Sequence, residues 1–153
     1  MQLISAALVS INASLPEIAV RVDRRKLAKR RWRETADDGM EFGCELAAPI
    51  RDGDTIWQTA STRYVIRQPA EAVVEVSLEV APSAAAGIGW AVGNMHLELA
   101  ADANRLLAPD EPAVRQLLER LQVPYRPAAA VFRPGRFVRG NQPTHDLGPS
   151  HKH

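Results

Sequence analysis

Residues 72–80 read AVVEVSLEV. Apolar and other side chains alternate there, so Val74, Val76, Leu78 and Val80 are expected on one face of a strand. Pro82 and Ser83 then break the period, and proline is favoured in a first helical turn. The Ala-rich stretch 83–95 predicts a helix. LELAAD (97–102) and NRLLAP (104–109) predict two strands with a tight Asp-Ala-Asn link. DEPAVRQLLERLQ (110–122) predicts a second helix, with Val114, Leu117, Leu118 and Leu121 as its apolar stripe. YRPAAAVFRPG (125–135) closes as an extended strand. The order β-α-β-β-α-β is the ferredoxin-like split βαβ pattern, and it predicts such a domain over 71–138.

Before Pro69 the rhythm is β throughout. EIAVRVD (17–23) is short and rich in branched residues, and RRWRETADDGMEFGCEL (30–46) predicts a hairpin turning at Asp37-Asp38-Gly39. A second turn falls at Asp52-Gly53, and RYVIRQ (63–68) alternates up to the proline. These short strands predict an all-β N-terminal domain over 1–70, a small sandwich or barrel. Residues 139–153 carry glycine, proline and three histidines and read as a flexible tail. The class is α+β.

Composition narrows the compartment and the partners. The 153 residues hold one cysteine, Cys44, which cannot form an internal disulfide, so a reducing, cytoplasmic setting is expected. No apolar run approaches the roughly 20 residues that span a bilayer. The start, MQLISAALVSINASLPE, has no basic leader and reads as strand rather than signal peptide. With a formal net charge of +1, the whole molecule is not suited to coating nucleic acid.

Of four histidines, three lie in the last nine residues, and the fourth closes the predicted helix in GWAVGNMH (89–96). The glycines at 87, 89 and 93 imitate a dinucleotide fingerprint. They fail as one, because the six residues APSAAA separate them from the strand and put them inside the helix. Each internal helix glycine costs about 1 kcal/mol against alanine, so the small face needs a packing reason. It packs either on its own sheet or on a second copy across a two-fold axis, with Trp90 in the core or at that seam.

His96 has two readings. One is an imidazole that merely caps a helix end. The other is a metal ligand: paired with its symmetry mate, it would offer two imidazoles, with further donors from His145 or the His151–His153 pair. Imidazole suits nickel, zinc and copper, and a donor set without thiolate fits Ni(II) or Cu(II). Coordination needs neutral imidazole, so loading is expected to weaken below about pH 6.5. Cys44, in a strand, reads as a small core hydrophobe. No nucleophile or zinc-protease motif is present, and no catalytic residue is predicted. The run RVDRRKLAKRRWR (21–33) holds eight Arg and Lys against one Asp. It is expected to be a charged hairpin that is merely solvated, docks an acidic protein or binds RNA phosphates, though no aromatic RNA-binding pattern accompanies it.

The chain resembles the urease accessory nickel metallochaperones, the UreE family, over nearly its whole length. The resemblance rests on DRRKLAKRRWRETADDGMEFG, the following L…P…RDGD (46–54), GNMH after the Ala-rich helix, and FRPGR…H…HKH at the end. It implies an N-terminal β domain that binds partners and a C-terminal ferredoxin-like domain that binds metal. It implies a homodimer with Ni²⁺ at the interface, held by His96 of both subunits, with His145, His151 and His153 as candidates to complete the site. Delivery to apo-urease with an accessory GTPase complex, without enzymatic activity, is the implied task. Zn²⁺ or Cu²⁺ could also bind in vitro. Met95 stands where the family commonly has Arg, which should keep the His96 ligand while altering its surroundings or adding a soft, weak donor. Some relatives carry a long His-rich tail and extra histidines after this motif, and the matching ANRLLAPDEP has none, so few ions per dimer are expected. The rival reading is an RNA- or ribosome-associated module using residues 21–33; a third is a small hydrolase that turns over without added metal.

Overall fold

The computed structural model describes residues 1–137 and the backbone of 145–146. It divides into two compact units, Met1–Pro69 and Ala70 onward. No helix among the described residues is long and apolar enough to cross a membrane. The fold is mixed α+β, mostly strands with few helices.

The first unit contains β1 (Gln2–Ile4), β2 (Glu17–Arg21), α1 (Arg24–Leu27), β3 (Arg31–Thr35), β4 (Glu41–Glu45), β5 (Thr55–Gln58) and β6 (Arg63–Arg67). They form two three-stranded sheets, ordered β1-β4-β3 and β2-β6-β5. Alternation sends Phe42 and Cys44 of β4, Trp32 of β3, and Tyr64 and Ile66 of β6 into one shared core. Phe42 and Tyr64 meet across it as tilted rings with centroids 5.1 Å apart. Each such apolar side chain contributes about 1.5–3 kcal/mol on burial. The expected β3–β4 hairpin is present in antiparallel register. Its turn uses Gly39 at φ 90°, a left-handed position that suits glycine.

The run 21–33 is not one hairpin, and the first unit is not strand alone. The Asp23 carboxylate accepts the Lys26 N–H at 2.9 Å and caps one helical turn, α1, between β2 and β3. Val22 and Leu27 are buried on either side and pin that turn to the core.

The second unit contains β7 (Glu71–Ser77), α2 (Pro82–Asn94), β8 (Ala100–Ala101), β9 (Arg105–Pro109), α3 (Pro112–Arg120), β10 (Arg126–Ala130), β11 (Arg136–Phe137) and β12 (His145–Asp146). The sheet runs β10-β7-β9-β8-β11-β12. β7 is antiparallel to both β10 and β9, and β9 to β8. β7 and β8 therefore run the same way with β9 between them. Val74, Val76, Leu106 and Ala108 meet Ile88 of α2 and Val114 and Leu118 of α3. The opposite sheet face buries Val73, Ala100 and Leu107 under Phe132. Covered on both faces, β7 is buried continuously from Val73 to Val76.

Three local expectations need correction. β7 stops at Ser77, whose hydroxyl accepts the Glu79 N–H, so Val80 lies beyond the strand and is exposed. β8 has only two residues. Continuing its register would set Glu98 against Pro109, which has no N–H to donate. Leu121 is the C-cap of α3 and is exposed, so the buried stripe is Val114, Leu117 and Leu118.

Candidate metal centre

The last turn of α2 positions His96. The Met95 N–H still reaches the Ala91 carbonyl, at 3.3 Å. The chain then turns left-handed at His96, with φ 54°. The His96 N–H bonds the Gly93 carbonyl at 2.9 Å, and the Leu97 N–H bonds the Val92 carbonyl at 3.2 Å. This pair of bonds is the Schellman motif, which satisfies carbonyls the helix end would otherwise leave free. Leu97 then packs on the core beneath the helices. His96 thus occupies the position where glycine is usual, and an L-residue there costs about 1 kcal/mol in steric strain. The residue is exposed. The two cap bonds hold the backbone on either side of the His96 peptide, and the residue is carried at the protein surface.

The rest of α2 divides cleanly into two faces. Ile88 and Val92 are buried. Ser83, Ala86, Gly87, Trp90, Gly93 and Asn94 are exposed, at the spacing of one helical face. Trp90 is 71% exposed, which removes the core as its place within one chain. A Cβ added at Gly87 or Gly93 would meet nothing within 4 Å, and one at Gly89 only Leu99, at 3.8 Å. Packing on the helix's own sheet therefore does not require these glycines. The helix carries no charged side chain, and His96 stands at the end of its bare face.

His145 lies in β12, in register with Phe137 of β11 at the far edge of the sheet from β10. A two-residue strand thus forms within the stretch read as tail. His151 and His153 fall outside the described residues. Among the described residues, no three His, Cys, Asp or Glu side chains gather as a metal site within one chain. Met95 is exposed beside His96. Cys44 lies in β4, buried in the other unit, and burial pushes its thiol up to about 11. A thiol so reluctant to ionise is a poor nucleophile and a poor ligand.

The helix-free sheet face holds a charge cluster that sequence reading missed. Glu75 is only 7% exposed, yet it is ionic. Arg105 Nη1 donates to its Oε2 at 2.8 Å, and Arg126 pairs with its Oε1. Arg105 also donates to Asp102 at 2.9 Å. The Arg105 bond, then the Arg126 bond, hold the Glu75 carboxyl below the usual carboxylate range. The register brings this trio together: Glu75 lies opposite Leu107 and Arg126. No linear motif could mark it.

A family model described as the C-terminal domain of the UreE urease accessory protein matches residues 71–153. That is more than half of the chain, and the chain belongs to the UreE urease accessory protein family. Among curated relatives, the urease accessory protein UreE of Bifidobacterium longum subsp. infantis is 34% identical over 87 residues. That match covers 56% of this chain and 39% of the relative, so the alignment spans well under half of that protein. The UreE of Geobacillus kaustophilus is 27% identical over 120 residues, covering 74% of this chain and 80% of the relative. The UreE of Cereibacter sphaeroides is 28% identical over 131 residues, covering 84% and 69%.

Proposed function

We propose that this protein is a non-enzymatic nickel carrier that delivers Ni²⁺ to apo-urease during assembly of its active site. The observation that carries the reading is the exposed His96, held in a left-handed cap at the end of an uncharged helix face. Membership of a urease accessory family supports it. Strand order and direction in the second unit support a ferredoxin-like domain.

One imidazole holds a metal weakly. A homodimer formed along Gly87, Trp90 and Gly93 would bring two copies of α2 together, and His96 of each protomer would bind the same ion. Glycines with open space above them suit the close approach of another backbone. Candidate completing donors are His145, His151 and His153. Nickel is cargo here, not a resident cofactor. Two fixed imidazoles grip the ion, while tail donors can leave and let a partner's ligands replace them. Imidazole without thiolate suits Ni(II), and Zn²⁺ or Cu²⁺ could compete in vitro. The accessory GTPase complex and apo-urease would be the receiving partners, in the cytoplasm.

Calorimetric nickel titration of the full chain beside His96→Ala, with solution mass measured for both, tests this. A dimer that binds nickel, and a variant that stays dimeric but loses most of the affinity, are expected. Equal nickel affinity in the two proteins refutes the assignment of His96.

A further inference from the structure

We propose that the outer face of the β1-β4-β3 sheet docks an extended acidic segment of a protein partner. That segment would carry an apolar residue between alternate carboxylates. The inference concerns the first unit alone, needs no metal, and stands independently of the nickel reading.

Because Phe42 and Cys44 of β4 point into the core, Gly43 and Glu45 face outward. Register sets Gly43 between Leu3 of β1 and Arg33 of β3, and Glu45 opposite Arg31. The result is an open groove of about 720 Å³ lined by Met1, Leu3, Arg31, Arg33, Gly43 and Glu45, among others. Gly43 makes its floor. A Cβ there would stand 3.2 Å from Leu3 Cδ2 and 3.3 Å from Met1 Sδ, so both side chains lean over the glycine. They remain 72% and 66% exposed, which leaves an apolar wall facing water.

The facing wall is basic. Arg31 pairs with Glu45. Arg33 has no ion-pair partner among the described residues, nor do Lys29 and Arg30 in the turn that leads into β3. Arg31 and Arg33 are two residues apart on one strand face, so their Cα atoms are about 7 Å apart. An extended chain has the same repeat. Set edge-on in the groove, such a chain would send alternate side chains to opposite walls. One carboxylate would meet Arg33, a second would share the exposed Arg31 guanidinium with Glu45, and the residue between them would meet Leu3 and Met1.

A nucleic-acid occupant fits less well. Single-stranded bases need exposed aromatic rings to stack on. Trp32, Phe42 and Tyr64 are buried, and Trp57 is half-buried. Two cations of the basic run that lie away from the groove are already neutralised in place: Arg21 by Asp37 and Lys26 by Glu34.

The test uses full-length, metal-free protein and three fluorescein-labelled probes. These are a Gly-Ser-flanked Glu-Leu-Glu-Val-Glu peptide, its Lys-for-Glu counterpart, and a 12-nucleotide oligouridine RNA. Binding is read by anisotropy at low and moderate salt. The acidic peptide is expected to bind best, with affinity falling as salt rises. Arg33→Glu should weaken it about tenfold and favour the Lys peptide, in line with charge complementarity at an interface. Leu3→Asp should also weaken it several-fold. Arg120→Glu, the same charge change on an exposed residue of the other unit, should leave it unchanged. No binding of the acidic peptide, tighter binding of the RNA, or equal loss with Arg120→Glu overturns the proposal. His96→Ala should bind the peptide as the native chain does, which separates this result from any failure of nickel binding.

Discussion

Helices α2 and α3 cover the same sheet face and end in the same motif, yet their outer surfaces are opposites. α3 buries Val114, Leu117 and Leu118 and turns Arg115, Glu119 and Arg120 outward or to the rim. Arg115 clasps Asp110 with two bonds, at 2.5 and 2.8 Å, and lies 5.9 Å over the Tyr125 ring. It is a self-contained surface helix. α2 buries only Ile88 and Val92 and shows water glycine, alanine and Trp90.

The two helix ends sharpen the contrast. Gln122 at the end of α3 also has φ 57°. Its N–H bonds the Glu119 carbonyl at 3.0 Å, and the Val123 N–H bonds the Leu118 carbonyl at 2.9 Å. The same cap therefore holds His96 on one helix and Gln122 on the other. Backbone geometry alone does not single out His96. The imidazole and the bare face beside it are what distinguish α2.

The largest expected effect follows from that difference. His96→Ala should lower nickel affinity by about 100-fold or more by calorimetry, since even changes behind a ligand cost 10–100-fold. Gln122→Ala should leave it unchanged. Equal losses would erase the distinction between the two ends.

Next comes the outer face. Trp90→Asp should weaken self-association by more than about tenfold in sedimentation experiments, because a large buried aromatic is the usual anchor of an interface. Glu119→Lys, on the outer side of α3, should not.

Smaller effects concern stability. His96→Gly and Gln122→Gly should each raise monomer stability by about 0.5–1 kcal/mol in urea titrations, by relieving the left-handed strain. The first should abolish nickel binding at the same time. A more stable protein without nickel would mean that His96 is kept at a cost to the fold. Gly87→Ala should likewise stabilise the monomer by about 0.5–1 kcal/mol while weakening the dimer.

The smallest effect is a pH response confined to α3's side of the comparison. The Arg115 guanidinium, by hydrogen bond and charge, holds the Asp110 carboxyl below its ordinary range. A carboxyl depressed in the folded state stabilises the fold above its unfolded pKa and loses that contribution as pH falls through the folded value. Asp110→Asn should therefore flatten the decline in Tm below about pH 4 while lowering Tm modestly at neutral pH. α2 has no charged side chain to respond.

The periodic parts of the chain were the legible ones. The alternation put Val74 and Val76 on the helix-covered sheet face, and the 3.6-residue spacing of α3 buried Val114, Leu117 and Leu118, so local pattern and tertiary packing agree over those stretches though not at Val80 or Leu121. Boundaries failed where a single contact decided them. Ser77 stopped β7, Pro109 shortened β8, and Asp23 converted part of a supposed hairpin into a helical turn. His96 was visible as the one histidine outside the last nine residues. Its left-handed cap was not, because residue type at that position would favour glycine.

The order of residues alone settled which segments could be strands and helices, where the basic run and the histidines fall, and that α2 would be small and uncharged. Those are local properties of side chains. The folded chain decided that Gly87 and Gly93 face open space, that Trp90 is outside, that Glu75 meets Arg105 and Arg126, and that Leu3 and Arg33 wall a groove over Gly43. Each of these depends on register and on which face of an element another element covers, and such long-range pairings are fixed by packing many residues at once.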